Sequence, residues 1–283
     1  MEIKKVGVIG CGLMGSGIIQ VCAQSGYEVA ASEINEELLN KGLTAINAVL
    51  TGRVDRGKLS QPEKDATLGR IKGTTDMKDL HDCDLIIEAV SESMDLKRKI
   101  FGEMDKICPK HTILATNTSC LSIIDIAMVT TRPDKVLGLH FFNPAPVMPL
   151  LEIVRTIATS DDTIEASKNF GNSLGKTIVI AQDAPGFIVN RLMVPQLLNA
   201  IRMFESGVAS KEDIDTAVNL GLNHPLGPLA LADLVGLDTL LLVADSIYDV
   251  SRDTQYIAPI SLQKMVSAGW LGRKTGKGFY DYQ

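Results

Sequence analysis

The sequence predicts an α/β fold, a doubly wound and mostly parallel sheet followed by a second, all-α C-terminal domain. Three observations predict it. Short apolar runs alternate with helical patterns over roughly the first 183 residues. A glycine-rich turn, Gly10-Cys11-Gly12-Leu13-Met14-Gly15, stands where the first run gives way to the first helical pattern. After Asp183-Ala184-Pro185-Gly186 the alternation stops, and helical periodicity continues to the end. Strand–helix alternation is the pattern of a parallel sheet. The Pro-Gly pair marks the change of character, so the expected domains are residues 1–184 and 185–283.

Taken in order, KKVGVI (4–9) reads as a buried strand and the residues after the glycine turn as a helix stopped by Gly26. YEVAAS (27–32) reads as the second strand. A helical pattern runs from Glu36 to Val49 and continues into a charged segment, with Ser60 and Pro62 signalling a new helix start. Ile71–Thr75 is a weak strand. CDLIIEAV (83–90) is a strong one, because a continuous apolar run suits a strand covered on both faces. Residues 93–107 are helical, 111–119 and 136–140 are strands, and 151–154 is another. DDTIEASKNFGNSLG then reads as a helix and KTIVIAQ as the closing strand.

Composition narrows the class. The chain has 283 residues, 45% of them hydrophobic, and a net charge of −6. A full-size core is available, and the acidic balance argues against a nucleic-acid partner. Five cysteines, Cys11, Cys22, Cys83, Cys108 and Cys120, form no CxxC pair and read as reduced, buried thiols of a cytoplasmic protein. No apolar run of spanning length is present, so no membrane partner is expected, and no metal is called for.

In the G-C-G-L-M-G turn each glycine has a task. Gly10 permits the tight turn, Gly12 lets the backbone approach a pyrophosphate, and Gly15 lets helix and strand pack closely. With Leu13 and Met14 opening the helix, its N-terminus offers N–H groups to phosphates. This Rossmann-type motif also calls for an acid about 20 residues on. Glu33 stands eighteen residues after Gly15, and a carboxylate there accepts from ribose hydroxyls and repels a 2′-phosphate. NAD is therefore expected over NADP.

The stretch HFFNPAPVMPLLE (140–152) places His140 and Glu152 at the two ends of a proline-stiffened connector between strands. A hairpin-like return would bring them together. Histidine titrates near neutrality and can move a proton, while a carboxylate on its other ring nitrogen would fix the tautomer. His81, His111 and His224 have no acid at useful spacing and read as structural.

GCGLMGSGI, CDLIIEAV, TNTSCLSI, HFFNPAPVMPLLEIV, APGFIVNRL, NHPLGPLALADLVGLDTL and GWLGRKTGKGFYDY together resemble the 3-hydroxyacyl-CoA dehydrogenase family, and the likeness covers essentially the whole chain. The resemblance implies NAD-dependent oxidation of short-chain (S)-3-hydroxyacyl-CoA to 3-ketoacyl-CoA, and the reverse reduction of acetoacetyl-CoA. It implies His140 as acid/base, Glu152 as its orienting partner, and Ser119 and Asn190 at the reacting oxygen. Asn143, Glu92 and Lys97 match positions near the cofactor. The charged segment Arg53, Arg56 and Lys58 reads either as a lid for the coenzyme A tail or as a solvated helix end. Family members are typically homodimers through the C-terminal domain, so a homodimer is expected.

The sequence departs from the family pattern at Thr116 and Cys120, where serines are usual, at Pro149, where lysine is common, and at Glu33, where Asp is common. Two rivals remain. A β-hydroxyacid dehydrogenase would use a lysine acid/base, which the His140/Glu152 pair opposes. A non-enzymatic dinucleotide-binding protein of the crystallin kind would not be expected to keep Ser119, His140, Glu152 and Asn190 intact.

Overall fold

The structure, a computed structural model, describes residues 2–282, which fall into two compact units meeting in sequence at Ala184 and Pro185. In the first unit the strands are β1 (Lys5–Ile9), β2 (Glu28–Ser32), β3 (Ile71–Thr74), β4 (Leu85–Glu88), β5 (Ile113–Thr116), β6 (Val136–Phe141), β7 (Leu150–Arg155) and β8 (Thr177–Gln182). The helices are α1 (Leu13–Gln24), α2 (Glu36–Asp55), α3 (Gln61–Gly69), α4 (Met94–Ile107), α5 (Ile123–Ala127) and α6 (Asp161–Ser173).

One eight-stranded sheet runs in the order β3-β2-β1-β4-β5-β6-β7-β8. The chain winds outward one way through β1, β2 and β3, then returns to place β4 on the other side of β1. That reversal is the topological switch point at which open α/β sheets bind ligands. All neighbouring pairs are parallel except β6 with β7. A parallel return needs a crossover of a dozen residues or more, and the connector 142–149 is too short for one. β7 must therefore run back along β6. α6 then supplies the crossover that lets β8 lie parallel to β7.

The sequence explains why these segments persist. β4, β5 and β6 are buried along their full lengths, as strands covered on both faces must be. The core packs Val6, Val8, Ile18, Cys22, Ile46, Leu50, Leu85, Ile87, Leu139 and Phe170 into one cluster. Helix starts are capped: Asn35 accepts from Leu38 N–H at α2, and Ser60 with Glu63 forms a capping box at α3. Behind the sheet, Arg132 Nε lies 2.7 Å from Asp105 Oδ1 and both are buried. Arg132 also donates to the carbonyls of Pro109, Asp105 and Cys108, so no part of this buried cation is left without an acceptor.

Strand limits are tighter than the apolar runs suggested. CDLIIEAV contributes only Leu85–Glu88 to the sheet, and HTILATNTS only Ile113–Thr116. In the second case the residues that follow leave the ladder so that their side chains can turn toward Glu92. α2 is longer than its apolar pattern, reaching Asp55 before the turn at Gly57.

The second unit contains α7 (Val189–Glu205), α8 (Lys211–Gly221), α9 (Pro228–Val235), α10 (Leu237–Ser251) and α11 (Ile260–Ser267), with no strand among the described residues. Two buried carboxylates hold it together. Asp215 accepts from the N–H groups of Leu229 and Ala230 at the start of α9. Asp233 accepts from Phe279 N–H, Tyr280 N–H and Tyr282 O–H, tying the C-terminal segment down. Gly278 must be glycine there, because a Cβ would lie 2.0 Å from Asp233 Oδ1. No helix of the described residues is long and apolar enough to cross a membrane. All five cysteines are buried, and burial pushes the Cys11 thiol up to about 12 and that of Cys108 up to about 11.

Candidate active site

The glycine turn lies between β1 and α1, at the switch point. Gly10 has φ +97°, a conformation that favours glycine, and its carbonyl oxygen would be 1.7 Å from a Cβ on Gly15. A Cβ on Gly12, by contrast, would meet nothing within 4 Å. The first two facts explain the fold of the turn, and the third describes an open approach to its backbone. α1 begins at Leu13 without a side-chain cap, so its first N–H groups are presented at that opening.

Glu33 follows β2 directly. Its Oε2 accepts from Cys11 N–H at 2.8 Å and its Oε1 from Ile34 N–H at 2.8 Å. The carboxylate thus braces the glycine turn and keeps acceptor capacity on both oxygens. Gly42 of α2 passes so close to Cys11 that a Cβ would sit 2.5 Å from its carbonyl oxygen. That helical glycine, unremarked in the sequence reading, lets α2 lie against the turn.

A cleft of about 810 Å³ opens here. Its walls include Gly12, Leu13 and Glu33 at one end, Asn143 to Val147 along one side, and Arg53, Arg56 and Lys58 with Lys41 on the α2 side. The three cations named from sequence therefore share one cleft with the glycine turn. They occupy the C-terminal end of α2 and the turn after it, not a separate surface. Lys41, one turn into α2 on the same side, was missed because it sits in an ordinary amphipathic pattern.

The imidazole and its acid meet as a cross-strand pair. His140 of β6 is in register with Glu152 of β7, and Nδ1 lies 2.6 Å from Glu152 Oε2. Glu152 is fully buried and His140 nearly so. Phe142 packs a ring 4.5 Å from the imidazole. A buried carboxylate on Nδ1 fixes the tautomer and leaves proton exchange to Nε2. The other histidines differ. His81 bonds the carbonyl of Lys78, and His224 lies 3.4 Å from Gln196 Nε2. His111 is 3.5 Å from Asp84 across an exposed surface, a neighbouring acid that the spacing along the chain had not suggested.

Beside this pair, the ends of β4 and β5 carry a second polar cluster. Ser119 N–H donates to Glu92 Oε1 at 2.8 Å, and Ser119 Oγ lies 3.2 Å from the same oxygen. Thr118 Oγ1 also donates to Glu92. Behind Glu92, Lys97 Nζ lies 3.4 Å away and 2.7 Å from Glu88 Oε1. Glu88 also accepts from Thr116 Oγ1 at 2.7 Å and from Val90 N–H at 2.7 Å. Lys97 and Glu88 are almost completely buried, so one ammonium shared between two carboxylates, with hydroxyl and N–H donors on their remaining oxygens, forms the mount for Ser119. Glu88 escaped the sequence reading, although an acid ending an apolar strand was a visible signal. Asn190, the remaining candidate, is buried on the first turn of α7 in the second unit.

A glycine turn at the switch point of a doubly wound sheet defines a dinucleotide-binding protein. Comparison with known proteins carries this further. Residues 5–184 match the family model for the 3-hydroxyacyl-CoA dehydrogenase NAD binding domain, and residues 186–282 that for its C-terminal domain. The chain is 48% identical over 282 residues to a Mycobacterium tuberculosis 3-hydroxybutyryl-CoA dehydrogenase, covering 99% of each. It is 44% identical over 289 residues to the human mitochondrial hydroxyacyl-coenzyme A dehydrogenase, covering 99% of this chain and 92% of that one. The solved (S)-3-hydroxybutyryl-CoA dehydrogenase of Ralstonia eutropha superposes with a TM-score of 0.95 at 43% identity, covering 100% of both chains. The chain belongs to the 3-hydroxyacyl-CoA dehydrogenase family. Its first unit is the NAD-binding domain of that family, and the open approach at Gly12, the uncapped start of α1 and the bidentate acid Glu33 fit that cofactor.

Proposed function

We propose that the protein interconverts a short-chain (S)-3-hydroxyacyl-CoA and its 3-ketoacyl-CoA, as a 3-hydroxybutyryl-CoA dehydrogenase. The observation that carries this reading is the buried His140–Glu152 pair, at 2.6 Å in cross-strand register. NAD, when bound, supplies the hydride acceptor. The residues of the chain do the rest. His140 takes the hydroxyl proton on Nε2 during oxidation and returns it to the oxygen during reduction. Glu152 holds the ring and gives the imidazolium its counter-charge. Ser119 donates to the reacting oxygen as its charge develops, and Asn190 is assigned a second donor role by the family likeness. Glu92 and Lys97 hold Ser119 and flank the cofactor, and Asn143 borders the cleft beside it.

Arg53, Arg56 and Lys58 take the phosphates of the coenzyme A moiety. Their support is a shared cleft wall with four cations, Lys41 among them, and no carboxylate but Glu33. Two copies associate through the second unit.

The reading is tested by turnover with acetoacetyl-CoA and NADH. His140→Gln should lower kcat by about 10²–10⁴-fold, the contribution usual for a positioned acid/base, with the fold intact. Glu152→Gln should fall by about 10² or more through a misoriented ring. Near-normal turnover in His140→Gln would sink the acid/base assignment.

A further inference from the structure

Lys176 stands between α6 and β8, is only 8% exposed, and does not line the cleft. Its Nζ donates to the carbonyl of Ala145 at 2.6 Å and to that of Met148 at 2.7 Å. Among the described residues no carboxylate pairs with it. Those two carbonyls bracket the turn in the His140–Glu152 connector, where Pro144 O already accepts from Val147 N–H and Met148 N–H. The outer face of the same turn, Asn143 to Val147, is a wall of the cofactor cleft. Its inner face rests on α1: a Cβ on Gly17 would lie 3.1 Å from Ala145 Cβ and 3.2 Å from Pro146 Cδ. The turn is therefore held from behind by one ammonium and from the side by a helix with no side chain to spare.

We infer that Lys176 is a positioning residue for cofactor binding: its ammonium clamps the 145–148 turn and so sets the cleft wall that faces the glycine turn.

A buried ammonium without a counter-ion is a poor stability device. Burial holds the Lys176 ammonium below the usual lysine range. Replacing such a charge with an apolar side chain of similar length removes its desolvation penalty but takes the donor away from the carbonyls of Ala145 and Met148, so the two effects on stability oppose each other. The group is retained for what it places. A lysine kept for stability alone predicts unchanged NADH affinity in a variant that folds, whereas one kept for placement predicts weaker binding, and the difference is measurable without any acyl substrate. The inference rests on the NAD-binding character of the first unit and is independent of the proposed acyl-CoA chemistry.

The test is Lys176→Met in the full chain, read by NADH fluorescence titration and by thermal melting. The expected result is a folded protein that melts cooperatively but binds NADH about tenfold more weakly, the loss that follows when charge-assisted bonds to a binding wall are removed. A dissociation constant within twofold of the parent overturns the inference, whether the melting temperature falls or not. If Lys176→Met does not fold, Lys176→Arg decides in its place. Its forked head cannot sit as one point between both carbonyls, so NADH affinity should again fall, and an unchanged affinity overturns the inference.

Discussion

Two side chains twelve residues apart met because β6 and β7 are joined by a short connector. Their pairing was legible: both are titratable, both stood near the ends of expected strands, and the prolines between them forbid a helix, although Glu152 proves to lie two residues inside β7. Glu33 was legible too, since its place after the second strand follows from the glycine turn. Its second task was not. The N–H of Cys11 that it accepts comes from a residue 22 positions away, and backbone donors carry no sequence signal. Lys176 was invisible for the same reason, because both its partners are carbonyls. Glu33 also makes a prediction at this scale. In the proposed role its carboxylate would oppose a 2′-phosphate by like-charge repulsion, which Glu33→Gln removes while keeping the shape. The NADPH-to-NADH ratio of kcat/KM should then rise about tenfold or more, since even a screened repulsion of about 1.4 kcal/mol gives that factor. A ratio that stays within twofold would show that the acid does not select the cofactor.

At the scale of elements, the strand–helix alternation of the first unit was readable because each strand is a short apolar run closed by turn residues. The direction of β7 follows once connector length is considered, because no crossover fits between Phe141 and Leu150. The C-terminal segment was opaque: Asp233 reaches across 46 residues to Phe279 N–H, and nothing local announces it. The helices of the second unit leave large apolar side chains in solvent, among them Leu192, Leu220, Leu222, Leu242 and Val250 at 50% exposure or more. The proposed homodimer would cover part of this apolar surface. Light scattering at micromolar concentration should give a mass near twice the 30.5 kDa of the chain. A mass of one chain would remove the proposed dimer.

For the whole molecule, the order of the strands decides where chemistry can occur. Reversal at β1 opens the crevice, and the ends of β1, β4, β5 and β6 deliver the glycine turn, Glu88, the Ser119 turn and His140 to the same edge of the sheet. The cleft beside it combines an opening for a dinucleotide with cations along α2, which is why the proposed substrate carries phosphates of its own. A free 3-keto acid would offer the same reacting carbonyl without them. The most direct measurement is the loss of NADH absorbance with purified full chain and acetoacetyl-CoA, set beside free acetoacetate at equal concentration and beside NADPH. The account predicts rapid loss with acetoacetyl-CoA and NADH and little with the free acid or with NADPH. No loss with either keto substrate would contradict it and leave a protein that binds the dinucleotide without using it.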